Sequence, residues 1–341
     1  MSDTPIEANF DEIRDIIRGF HGPNEKAQKI AQDREGQLTK PPGALGRLEE
    51  ISEWFATWQA KDSPSIERPR VAVFAGNHGV AKQGVSAFPQ EVTVQMVANF
   101  KNGGAAVNQL CRTHDAELRV YEMALDQPTH DFTEQPAMSE EECATAIAYG
   151  MMAVEEGVDV LCIGEMGIAN STSGAALAYA LFNGEAADWV GPGTGVEGDA
   201  YDNKIRVVQE AVGKYFHQRH DPLEILRCLG GYEIAAMVGA IIAARMGRVP
   251  VILDGYTTCA AAAVLYQMDP AALDHCIVGH LSAEPSHIQL LEEIDKEPLL
   301  NYGMRLGEAS GAALALGIVK SAIACHTGMA TFAEAGVSDK D

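Results

Sequence analysis

Five short apolar runs limit what this chain can fold into. They are Val71-Ala-Val-Phe-Ala75, Leu118-Arg-Val-Tyr121, Val158-Asp-Val-Leu-Cys-Ile163, Val249-Pro-Val-Ile-Leu253 and Cys276-Ile-Val278. Helical spacing of apolar residues fills the intervals at roughly 91–100, 139–156, 173–183, 203–217, 231–247 and 257–267. Strands that alternate with helices predict a doubly wound α/β fold, a mostly parallel sheet with helices on both faces. Ligands of such sheets bind beyond the carboxyl ends of the strands. The conspicuous loops follow strands: Gly76-Asn-His-Gly79, Gly164-Glu-Met-Gly167, Asp254-Gly255 and Gly279-His-Leu-Ser282.

Ahead of the first strand the pattern is helical. Phe10, Ile13, Ile16 and Ile17 share one face, and Leu45, Leu48, Ile51, Trp54 and Phe55 share another. Pro41-Pro42-Gly43 divides this region, and a Ser/Pro-rich linker closes it near residue 69. A final apolar helix over about 309–325 is expected to pack back on these helices. Residues 1–65 with about 309–341 would then form a small helical lobe beside a Rossmann-like substrate-binding domain over 70–308.

Charge narrows the function. With 25 Lys and Arg against 48 Asp and Glu, the net charge is −23, which argues against a basic nucleic-acid groove and against attraction to an anionic membrane. A phosphorylated metabolite stays open, because amides at helix N-termini bind phosphate without net positive charge. Seven scattered cysteines with no Cys-x-x-Cys fit a reducing cytoplasm better than a disulfide framework or zinc ribbon. The acidic N-terminus has no apolar signal core, and no stretch approaches an uncharged membrane span of about 18 residues.

Several residues are suited to chemistry. In Met304-Arg-Leu-Gly-Glu-Ala-Ser-Gly311, Glu308 stands among small residues that would let a ligand approach and would leave the carboxylate poorly solvated. Alternatively, Glu308 sits in the first turn of the next helix, favoured by its dipole. Glu165 in Gly164-Glu-Met-Gly167 either points into the same cleft or faces water while Asn170, Ser171 or Thr172 caps a helix. Gly191-Pro-Gly-Thr-Gly195 offers close-approach amides, with Thr194 and Lys204 as possible hydroxyl and charge, yet such loops are often plain turns and Lys204 by default is solvated. Asp254 ends a buried strand, where a carboxylate meets a ribose hydroxyl or an amide. His78 reads foremost as a strand-end histidine bonded to backbone, and His280 and His287 flank Ser282 and Glu284. No His-x-x-x-His or His-Glu-x-x-His spacing supports a metal site.

Taken together, Leu38-Thr-Lys-Pro-Pro-Gly-Ala-Leu-Gly-Arg-Leu48, Asn77-His-Gly-Val80, Gly164-Glu-Met-Gly-Ile-Ala-Asn-Ser-Thr172, Gly230-Gly-Tyr-Glu-Ile234, Leu253-Asp-Gly255, His280-Leu-Ser-Ala-Glu284 and Met304-Arg-Leu-Gly-Glu308 carry a resemblance. The chain resembles the nicotinate-nucleotide:dimethylbenzimidazole phosphoribosyltransferase family over about residues 30–325, with the motifs in order. The resemblance implies a homodimer, and its reaction is expected to need no cofactor or metal, because no phosphate bond breaks. It implies transfer of phosphoribose from nicotinate mononucleotide to a benzimidazole nitrogen, with inversion at C1′, for the lower ligand of cobalamin. It makes Glu308 the base and Glu165 a second active-site carboxylate. It places substrate on Lys204, Gly193, Thr194, Gly195 and Ser282, and the benzimidazole segment at Phe88 and Met96; Asp254, Gly255, Gly167 and Met304 are further expected substrate contacts. Departures are Pro192 where arginine is common, Asn77 where aspartate is frequent, and Phe88 and Met96 where some members are polar.

Two other readings compete. A dinucleotide-dependent oxidoreductase would suit the fold, but Gly-x-Gly-x-x-Gly is missing. A non-catalytic sensor of nucleotides or benzimidazoles leaves both glutamates in glycine-lined turns without a purpose.

Overall fold

The structure, a computed structural model, describes residues 9–338; the outermost residues of the expected lobe, 1–8 and 339–341, lie outside the described range. Three helices come first: α1 (Phe10–Arg18), α2 (Glu25–Glu35) and α3 (Arg47–Gln59). The alternating part runs β1 (Pro69–Gly76), α4 (Glu91–Lys101), α5 (Ala106–Thr113), β2 (Glu117–Met123), α6 (Glu140–Met151), β3 (Val160–Met166) and α7 (Asn170–Phe182). It continues with α8 (Ala186–Trp189), α9 (Asp199–Tyr215), α10 (Pro222–Leu229), α11 (Tyr232–Met246), β4 (Val251–Leu253) and α12 (Tyr256–Met268). The end of the chain holds β5 (Cys276–His280), α13 (His287–Glu293), β6 (Pro298–Leu300), α14 (Ser310–Gly328) and α15 (Phe332–Ala335).

The six strands lie in the order β2-β1-β3-β4-β5-β6, and every neighbouring pair is parallel. The direction of winding reverses at β1, which opens a crevice beyond the carboxyl ends of β1 and β3. Alternation along the strands sends Ala72, Phe74, Leu161, Ile163 and Leu253 into one core and Val71, Val73, Cys162 and Ile252 into the other. Both faces are therefore covered, which is why the inner strands β1, β3, β4 and β5 read as apolar runs, whereas the edge strand β2 carries Glu117, Arg119 and Glu122. Arg70 is the exception inside β1; its guanidinium spans Glu117 at 2.7 Å, Glu155 at 2.9 Å and the Ala153 carbonyl at 3.0 Å.

Sequence spacing misses β6. Its three residues begin with Pro298 and sit at the sheet edge, where proline is tolerated and no alternation can develop. α14 also differs from expectation. At 19 residues it is long and apolar enough to cross a membrane by length and composition, contrary to the reading that no stretch approaches one. Its first half packs on β3, β4 and β5, which accounts for its apolar character. Its last turns meet the N-terminal helices, where Arg34 donates to the His326, Thr327 and Met329 carbonyls and His326 meets Glu35 at 2.7 Å. The core thus runs without a break through residue 309, and α1 packs separately on α6.

Candidate active site

The loops after β1, β3, β4, β5 and β6 enclose a cavity of about 420 Å³. Phe88, Val92, Met96, Met166, Ile168 and Leu306 give it an apolar wall, and Glu165, Asn170, Ser171, Thr257, His280, Ser282, Glu284, Arg305 and Glu308 a polar one. An apolar slot facing a few convergent polar groups suits a flat aromatic ligand joined to a sugar.

Glu308 rides on an unusual turn. Gly307, Glu308 and Ala309 have φ of +80°, +61° and +57° in succession, just before α14 begins. Left-handed backbone costs non-glycine residues about 1–2 kcal/mol each, so the surroundings must hold it. They do: the Glu308 amide donates to the Glu165 carbonyl at 3.0 Å, and Ala309 packs against Gly164 of β3. This turn takes Glu308 out of the helix and onto the cavity wall at 5% exposure, so the alternative of a first-turn helix glutamate does not apply.

Two carboxyls therefore line the cavity with different acidities. Burial, then the neighbouring Asp254, raises Glu308 to about 7. Burial raises Glu165 further, to about 8, against a hydrogen bond from the Asn170 amide and with added repulsion from Glu233, Asp254 and Glu308. Near neutrality Glu165 is mostly protonated while Glu308 is partly ionised, a split that separates a proton-holding group from a proton-accepting one. Asn170 braces Glu165 instead of capping α7, whose N-cap Ala169 has no side-chain bond.

The glycine loop also reaches the cavity. Gly193 and Thr194 line it, whereas Gly195 does not. Thr194 Oγ1 is held by Ser86 Oγ and the Ala87 amide, both at 3.0 Å, tying the glycine loop to the Phe88 segment. Lys204 is fully buried rather than solvated. Its Nζ lies under the loop, donating to the Gly191 carbonyl at 2.9 Å and Ser171 Oγ at 3.0 Å. Burial lowers it to about 8, opposed by Glu284. Arg305 is the cation on the rim; its Nη1 donates to the Gly193 carbonyl at 3.0 Å. Placing a phosphate on this loop predicts that Lys204→Ala raises the KM for the nucleotide about 10–100-fold with little change in kcat. An unchanged KM would make Lys204 a strut beneath the loop and nothing more.

Of the other expected residues, Phe88, Met96, Gly167, Gly255 and Ser282 line the cavity. Met304 stands behind it, its carbonyl accepting from the Ala283 amide at 2.8 Å. Asp254 is buried at 1% exposure and meets an amide, that of Ala312, at 3.0 Å. His78 is bonded to side chains, not backbone as expected: Nε2 meets Glu233 at 2.5 Å and Nδ1 meets Ser173 at 2.9 Å. Sequence reasoning does not single out Arg305, Asn170, Ser171, Thr257, His280 or Glu284 as ligands. Arg305 carries a signal, since it shares one stretch with Glu308. Among the described residues, no group of three or more His, Cys, Asp or Glu is arranged to hold a metal.

Fold and cavity define an α/β enzyme with a small-ligand cavity beyond its strand ends, lined by two carboxyls of raised pKa. Residues 20–337 match a family model described as phosphoribosyltransferase. The nicotinate-nucleotide–dimethylbenzimidazole phosphoribosyltransferase of Rhizobium etli (strain CIAT 652) is 58% identical over 97% of this chain and 98% of its own. That of Rhizobium meliloti (strain 1021) is also 58% identical, with the same coverage. A crystal structure of CobT from Thermus thermophilus superposes with a TM-score of 0.87 at 38% identity, covering 92% of this chain and all of its own. The chain belongs to the nicotinate-nucleotide–dimethylbenzimidazole phosphoribosyltransferase family.

Proposed function

We propose that this enzyme moves 5-phosphoribose from nicotinate mononucleotide to 5,6-dimethylbenzimidazole, giving α-ribazole 5′-phosphate and nicotinate with inversion at C1′. The chemistry asks little of the leaving side. Nicotinate is bonded to C1′ as a pyridinium and leaves with the bonding electrons, neutral at nitrogen, so no acid is required there. The acceptor nitrogen is neutral, and as it bonds to C1′ the partner N–H of the ring becomes acidic. A carboxylate that receives this proton is the catalyst needed, worth about 10²–10⁴-fold.

The observation that carries the reading is Glu308, held by a left-handed turn on the cavity wall that it shares with an apolar slot of Phe88, Val92 and Met96. Those side chains suit the methylated face of a benzimidazole. Gly193, Arg305 and buried Lys204 gather where the 5′-phosphate would lie. Holding two flat bases on opposite faces of one ribose should supply most of the remaining acceleration. Incubation with nicotinate mononucleotide and dimethylbenzimidazole should release free nicotinate only when both are present. No release, or release without the acceptor, would overturn the reading.

We also propose a homodimer working in the cytoplasm. Support comes from the family resemblance and from seven cysteines that are all free, six of them buried. Sedimentation at the mass of a single chain would dismiss the dimer.

A further inference from the structure

Asp254 and His280 surround Glu308 from behind. Asp254 follows β4, buried behind the residues that line the cavity. Its Oδ1 accepts the Ala312 amide at 3.0 Å, and the Gly311 and Ala309 amides also face its carboxylate. Those amides belong to the first turn of α14 and to the left-handed turn that bears Glu308. A carboxylate at a helix N-terminus is favoured by the helix dipole, which fixes where α14 begins. On the other side, His280 Nε2 of β5 lies 3.6 Å from Asp254 Oδ1. The His280 ring is buried, has no hydrogen-bond partner on either nitrogen, and reaches the cavity wall.

We propose that Asp254, with His280 set against it, is a positioning residue for the transfer: it clamps the left-handed turn so that Glu308 faces the acceptor ring. The inference rests on Glu308 being the base. Its physical content is that two consecutive non-glycine left-handed residues persist only where their amides are fixed from outside. The Glu165 carbonyl fixes the Glu308 amide and Asp254 the Ala309 end of the turn, and the carboxylate of Asp254 has a second effect. The ionisable groups that share the cavity wall with Glu308 are Glu165 from β3, His280 from β5, and Glu284 and Arg305 from the flanking loops, with Asp254 from β4 behind it. Of these, Asp254 opposes ionisation of Glu308 most directly.

The test compares Asp254→Asn and Asp254→Ala with the unaltered enzyme, reading nicotinate release across pH and nucleotide affinity by calorimetry. Asp254→Ala should lose about 10²-fold in kcat, the cost of a misplacement near 1 Å, with nucleotide affinity within about threefold. Asp254→Asn keeps an acceptor for the Ala312 amide, so its kcat should fall no more than about tenfold. Removing the charge eases ionisation of Glu308, so the acid limb of its kcat profile should move to lower pH. An unshifted limb in the Asn variant, or a loss of nucleotide affinity matching the loss in rate, overturns the proposal. If Asp254→Ala does not fold, the Asn variant decides alone. Glu308→Gln run alongside separates the two ideas: activity retained there sinks the base assignment, whereas an inactive Glu308→Gln with undiminished kcat in Asp254→Ala sinks only the clamp.

Discussion

Replacing Glu308 by Gln should lower kcat about 10²–10⁴-fold, roughly 3–5 kcal/mol of transition-state stabilisation, while nicotinate mononucleotide still binds. Glutamine keeps the size of the side chain and a hydrogen-bond acceptor but cannot take a proton. With the nucleotide half of the site proposed on Gly193, Thr194 and Arg305, across the cavity lining, affinity for it should survive the change. Single-turnover nicotinate release set against nucleotide binding measures the two separately. Full turnover in the variant would remove Glu308 from the chemistry.

The same residue sets the expected pH dependence. Glu308 must be ionised to accept a proton, and burial beside Asp254 lifts its pKa to about 7. The rate should therefore fall as pH drops through about 7, well above the ordinary carboxylate range. Glu165, raised to about 8, remains protonated through much of that interval and cannot replace it as base. An acid limb near pH ~4–5, the ordinary carboxyl range, would show that Glu308 is better solvated during turnover than its burial indicates.

Most of the fold is legible because fully buried parallel strands are compact apolar runs, and β1, β3 and β5 announce themselves that way. β6 does not, since three edge residues beginning with proline carry no period. The site is legible where glycine marks a strand end or a tight loop: Glu165, Gly167, Gly255, Ser282 and Glu308 meet in one cavity with Gly193 of the loop between α8 and α9. What fails is burial of charge. Nothing local distinguishes Lys204, at the core-facing side of α9, from a solvated helix lysine, because the Gly191 and Ser171 partners come from distant segments. His78 reads as bonded to backbone for the same reason: its partner Glu233 stands 155 residues away, at the start of α11. Asn170 reads as a helix cap and is a brace for Glu165, a choice decided by which strand end lies beside it.

Gly164→Ala should be nearly as damaging as removing the base, although residue 164 touches no ligand. A Cβ added there would overlap the Ala309 nitrogen and Cα, closer than carbon can approach either atom. Both are backbone atoms of the turn that aims Glu308, so relief must come from moving the turn or β3. β3 is hydrogen-bonded to β1 on one side and β4 on the other, and Gly164 pairs with Val73 in the central register. The turn is the softer element, already in a left-handed conformation on either side of Glu308. Overpacking of this kind costs about 1–3 kcal/mol of stability, and a displacement near 1 Å at the base costs about 10²-fold in rate. The expected result is a folded, less stable enzyme with depressed kcat and nearly normal nucleotide affinity. Thermal unfolding and steady-state kinetics on one preparation measure both effects. Normal turnover in Gly164→Ala would mean that Glu308 tolerates displacement, which a proton acceptor required to meet one ring nitrogen cannot do.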